Sequence, residues 1–86
     1  MDYAKQARMF KALAHPTRLM IIDSLMTGGK CVGVIQDLLH SSQPNVSQHL
    51  SVLKESGIVD FSQQGNLRCY FLKDMEKIQS LISILS

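Results

Sequence analysis

The chain has little with which to do covalent chemistry. Its 86 residues include only two cysteines, Cys31 and Cys69, and no CxxC. Two thiols cannot form a disulfide framework or a four-ligand zinc site by themselves, so they are expected as free thiols unless something oxidises them. No glycine-rich phosphate loop is present, no nucleophile sits beside a base, and no carboxylates pair at a consistent spacing, which argues against an enzyme and against a bound cofactor. No apolar run approaches the roughly 18 residues of a membrane span. The N-terminus MDYAKQARMF is mixed and helical rather than a signal peptide, so a cytoplasmic location is expected, with no membrane partner. Charge of one sign is scarce too. The formal net charge is +2, and between Lys30 and Cys69 the bases Lys30, Lys54 and Arg68 are offset by Asp37, Glu55 and Asp60. Charge alone therefore does not point to nucleic acid, and any such binding would be salt-sensitive but electrostatically modest.

What is present is an ordinary globular composition, 45% apolar and 19% charged. A chain this short is one domain, and it removes only roughly 60 to 65% of its unfolded surface from water, so a second copy would help it. The most informative stretch runs from Ser42 to Gly57. Ser42 is a good N-cap, Pro44 is tolerated in a first turn, and Gly57 supplies the left-handed residue that ends a helix. Val46, Leu50 and Leu53 fall at i, i+4 and i+7 and form a buried stripe. Opposite them lie Pro44, Asn45, Gln48 and Ser51, flanked by Gln43, Ser47 and His49. Amide side chains can make paired hydrogen bonds to an adenine edge in the major groove, and hydroxyls at a helix start suit phosphates. On this segment alone, a solvated face and a base-reading face are both open.

The surrounding pattern favours the second reading. Residues 2–14 form a first helix with Tyr3, Ala7, Phe10, Leu13 and Ala14 on one side. His15 and Pro16 break it, and a second helix runs from Pro16 to about Met26, expected to bury Leu19, Met20, Ile22 and Leu25 before Thr27-Gly28-Gly29 ends it. Lys30 to Val32 is an extended link. A third helix over 33–39 is expected to bury Val34, Ile35, Leu38 and Leu39, and His40-Ser41 turns straight into the helix after Ser42. Two short helices joined this tightly form a helix-turn-helix. The period then changes to 2: Ile58, Val59 and Phe61 begin a strand, Gln63 to Asn66 turn, and Leu67 to Leu72 return. Such a hairpin is a wing whose tip offers Gln64, Asn66 and Arg68 to a phosphate backbone or minor groove. Asp74 caps a last helix with apolar residues on more than one face. Tyr3 and Phe10 of the first helix, with Ile78, Leu81, Ile82 and Leu85 of the last, are the expected dimer interface.

With Phe10-Lys11-Ala12-Leu13-Ala14-His15-Pro16-Thr17-Arg18-Leu19, then Ser42 through Lys54 with Gly57-Ile58-Val59, and Gly65-Asn66 through Tyr70 and Leu72, almost the whole chain resembles the ArsR/SmtB family of winged-helix repressors. The resemblance implies a mainly α fold with a β-hairpin wing in the order α1-α2-α3-α4-β-β-α5. It implies one domain over 1–86, with residues 2–14 and 74–86 as dimerisation helices. It also implies a homodimer that places its fourth helices in successive major grooves of a near-palindromic operator and answers to a small effector. The DNA-binding set is then Ser42, Gln43, Asn45, Ser47, Gln48, His49, Lys54, Gln64, Asn66 and Arg68. The family's metal sites are incomplete here. A Cys-Val-Cys element reads Cys31-Val32-Gly33, and the last helix carries Asp74 and Glu76 but no histidine, so no metal is expected. His15, His40 and His49 read as hydrogen-bonding residues rather than ligands. In a winged-helix sheet the link carrying Cys31 lies beside the strand carrying Cys69. The pair is thus a candidate thiol sensor, the alternative being two small core residues. A winged-helix module that binds protein instead of DNA is the other reading that a near-neutral segment leaves open.

Overall fold

A computed structural model describes residues 1–85, with the backbone only for Leu85. Five helices, α1 (Tyr3–Leu13), α2 (Pro16–Leu25), α3 (Val32–Leu39), α4 (Gln43–Glu55) and α5 (Met75–Leu85), surround a three-stranded sheet of β1 (Lys30–Cys31), β2 (Val59–Gln64) and β3 (Leu67–Leu72). The sheet is antiparallel in the order β1-β3-β2. The helix order and the presence of the wing are those expected from the sequence, with two differences: β2 runs on through Gln63 and Gln64, expected in the turn, because both pair across the hairpin with Arg68 and Leu67, and β1 is an addition. The extended link before α3 is a strand paired to the far side of the wing. Gly29 allows this approach, since a Cβ there would lie 3.1 Å from the Tyr70 carbonyl oxygen.

Local chemistry sets the helix ends. Asp2, Ser42 and Asp74 accept from the backbone N–H groups of Lys5, Asn45 and Lys77, satisfying donors that the helix itself cannot. His15 does the same with its ring: Nδ1 accepts from Thr17 N–H at 3.1 Å, directly before Pro16. Gly57, at φ +82°, turns the chain from α4 into the sheet.

The core is a single cluster to which every helix contributes. Val46, Leu50 and Leu53 of α4 are fully buried, as the i, i+4, i+7 stripe requires. They meet Ala12, Ile21, Ile22, Leu25, Ile35, Ile58, Val59, Tyr70, Leu72 and Ile78. Three expectations are corrected. In α2 the buried stripe is Ile21, Ile22 and Leu25, while Leu19 and Met20 are exposed, because the ten-residue helix turns one face inward and those two lie on the other. In α3 only Ile35 is fully buried, with Val32 and Leu39 packed beside it; Val34 and Leu38 lie on a second stripe that faces outward. Ile78, expected between two copies, is 2% exposed within one chain and so belongs to the protomer's own core.

The cysteines are a further correction. Cys31 and Cys69 are joined by a disulfide, and neither is a free thiol. The reason is register: they face each other as directly paired residues in the β1–β3 ladder.

Candidate nucleic-acid interface

The helix pair and the wing enclose a cleft of about 440 Å³. One wall is the α4 stripe Gln43, Ser47 and Ser51, spaced four residues apart so that all three point the same way. The other wall is the wing, through Gln63, Asn66, Leu67 and Arg68, and the floor is Val32, Gly33 and Gln36 of α3 with Tyr70. Gln63 and Arg68 are cross-strand partners, which places both on the cleft side of the hairpin. The Arg68 guanidinium lies 4.4 Å from the centre of the Phe61 ring, a cation–π contact that steadies the side chain and leaves its N–H donors available. Arg68 is the one charged side chain among the residues lining this cleft.

Of the ten DNA-binding candidates, the fold brings Gln43, Ser47, Asn66 and Arg68 to this cleft. The others lie elsewhere. Ser42 caps α4, and Asn45 donates through Nδ2 to Ser41 Oγ at 2.7 Å, so both organise the helix start. Gln48 is exposed on the outer side of α4. Lys54 lies at the helix's far end, 3.9 Å from the Asp60 carboxylate and 5.4 Å from the Phe61 ring centre. Gln64 faces the opposite side of the wing, toward Cys31 and Cys69. His49 is half-buried with its ring centre 4.5 Å from that of His15, which ties the middle of α4 to the start of α2. Burial lowers the His49 pKa below the usual 6.5, and the neighbouring His15 and Arg18 push it the same way. Gln36 and Gln63 line the cleft but were not in the sequence-derived set. The period-2 alternation of the wing carries the signal for Gln63, since it shares a face with Arg68; nothing local marks Gln36.

Away from the cleft, Phe10, Leu13 and Ala14 of α1, Leu19 of α2, and Ile78, Leu81 and Ile82 of α5 line a wholly apolar groove of about 290 Å³. Tyr3 and Phe10 are 77% and 61% exposed. The Leu85 side chain lies outside the described residues. Among the described residues no group of three His, Cys, Asp or Glu side chains is placed to hold a metal, and no helix is long and apolar enough to cross a membrane.

Comparison with known proteins agrees with this geometry. The model of the bacterial regulatory protein arsR family matches residues 15–60. The chain is 39% identical over 84 residues to an uncharacterized HTH-type transcriptional regulator of Methanocaldococcus jannaschii, covering 96% of this chain and 93% of that one. It is 44% identical over 80 residues to the biofilm growth-associated repressor of Xylella fastidiosa, covering 92% and 68%. Its fold is similar to that of the homodimeric winged helix-turn-helix DNA-binding domain of a possible ArsR-family regulator from Mycobacterium bovis, with a TM-score of 0.87 and 28% identity over 95% of this chain and 78% of that one.

Proposed function

The chain belongs to the arsR family of bacterial regulatory proteins, a family of DNA-binding transcriptional regulators rather than enzymes, and from that premise we propose a homodimeric repressor that acts in the cytoplasm on a near-palindromic operator under the control of a small effector. The observation that carries this reading is the cleft. Reading-helix amide and hydroxyl groups and wing donors converge on one side of the molecule, with Arg68 at its wall. Docked on a duplex, α4 meets base edges in the major groove and the wing follows the phosphates. Arg68 and Asn66 supply positioning contacts; Gln43 and Gln48 supply contacts that discriminate between bases. Ser42, Asn45, Ser47, His49, Lys54 and Gln64 act around them, as phosphate contacts or as supports of the helix and the wing.

Dimerisation follows from the apolar groove. Phe10, Leu81 and Ile82 border apolar surface that one chain leaves uncovered, and a second copy docking α1 and α5 across a two-fold axis would cover it. Two reading helices then lie about one helical turn apart on the DNA.

The test is selection of bound duplexes from random sequence. An inverted repeat with half-sites one turn apart is the expected outcome, and recovery of no repeat would count heavily against the proposal. Because Lys54 is engaged with Asp60 and Arg68 is the cleft's one cation, the salt dependence should be shallow. Absence of binding even at low salt would favour the protein-interaction reading.

A further inference from the structure

We propose that Cys31 and Cys69 form a reversible dithiol–disulfide site that latches the wing to the helix pair, with low-molecular-weight disulfides as its oxidising substrates. The inference rests on the repressor reading above, because the latch acts on the surface assigned there to DNA.

Position is the first argument. Cys31 immediately precedes α3 and makes no side-chain capping bond to it. Cys69 is the neighbour of Arg68 on β3. Successive side chains of a strand point to opposite faces, and here Arg68 lines the DNA-facing cleft while Cys69 lines a hollow on the other side. The bond therefore ties the first helix of the pair to the strand that holds the cleft's one cation. Backbone pairing does little of this work by itself, since the β1–β3 ladder consists of two residue pairs, Lys30 with Tyr70 and Cys31 with Cys69.

Access is the second argument. Both cysteines are half-buried, and they border an open hollow of about 300 Å³ with Gly29, Lys30, Ser62 and Gln64. A small thiol or disulfide can reach the sulfurs there. In a cytoplasmic protein, a disulfide within reach of the thiol pool is a reversible one.

The exchange balances in two steps. The Cys31 thiolate attacks one sulfur of R–S–S–R, forming the mixed disulfide Cys31–S–S–R and expelling R–S⁻. The Cys69 thiolate then attacks Cys31 Sγ, forming the intramolecular bond and expelling a second R–S⁻. The two cysteine sulfurs lose two electrons to the small disulfide, and their two protons pass to the released thiolates through solvent. Excess small thiol reverses both steps. When the bond opens, Val59, Tyr70 and Leu72 still hold the base of the wing in the core, but the hairpin beyond Cys69 loses its covalent tie to the start of α3, and DNA binding must then order it.

The test uses the full chain and its selected operator in buffers poised with oxidised or reduced glutathione, beside Cys31→Ser and Cys69→Ser. The oxidised protein should bind about tenfold more tightly than the reduced protein, the gain expected from preorganising a binding segment. Both serine variants should bind equally in the two buffers, at the reduced level. Equal or weaker binding by the oxidised protein would overturn the latch while leaving the repressor reading intact. Hydrogen exchange of the amides of residues 63–68 supplies a readout without DNA: faster exchange on reduction supports the latch, and unchanged exchange overturns it. Failure of every form to bind any selected DNA would instead remove the repressor reading, and amide exchange would then decide the latch by itself.

Discussion

The helices α4 and α1 are similar in length and opposite in economy. α4 buries Val46, Leu50 and Leu53 completely and turns amides and hydroxyls outward. α1 buries only Ala12 fully and leaves Tyr3 and Phe10 largely exposed. The former is finished within one chain, which leaves its outer face polar. The latter is not, and its apolar excess joins that of α5 in a groove suited to a second copy. Within 86 residues, the surface proposed to read DNA and the surface proposed to pair two copies thus lie on helices whose apolar residues are distributed in opposite ways.

That contrast can be broken from either side. The largest effect should come from Leu50→Ala, which opens a cavity at the centre of the core and should cost about 2 to 5 kcal/mol in urea unfolding. A loss under 1 kcal/mol would mean that α4 is not the core's anchor. Phe10→Ser should leave the protomer folded but weaken the dimer by roughly 2 kcal/mol, or about 30-fold in Kd, as seen by sedimentation at decreasing concentration. An unchanged dimer would remove α1 from the interface. Gln43→Ala should cost about 1 to 3 kcal/mol of discrimination at one base pair, whereas Arg68→Ala, which removes the cleft's one cation, should weaken binding on every sequence and reduce the salt slope. Uniform weakening on every sequence by Gln43→Ala would reassign that residue to the phosphates.

The smallest effect is a pH dependence of stability centred on α4. The folded protein holds the His49 pKa below 6.5. As pH falls, the unfolded chain takes up the proton first. Stability is therefore full above about 6.5 and declines as pH drops from there toward the lower folded pKa, where the decline ends. His49→Gln should flatten that part of the urea-midpoint profile, and a profile identical to that of the unsubstituted protein would show that another group titrates there.

Legibility followed the range of the interaction. The α4 cap at Ser42, the stop at Gly57 and the Asp74 cap are each set by neighbours a few residues away, and all appear where the sequence places them. Burial within short helices was less legible. Leu19, Met20, Val34 and Leu38 are as apolar as the residues that fill the core, and only the direction from which α2 and α3 meet it leaves them outside. Half of the cleft was visible in the same way: Gln43 and Ser47 sit on a periodic face, while Gln36 and Gln63 join it through contacts between elements.

The sequence by itself determined the helix-turn-helix, the wing and the polar character of the reading helix, because caps, periodicity and turn residues act through local backbone geometry. The tertiary structure decided that Cys31 and Cys69 meet. They are 38 residues apart, and no local rule fixes the register of two strands separated by a helix pair. It also decided which polar side chains share the cleft with Arg68, and that Ile78 is a core residue while Phe10 stays exposed. Each of these depends on how whole elements pack, and apolar character along the chain does not distinguish an inward face from one that awaits a second copy.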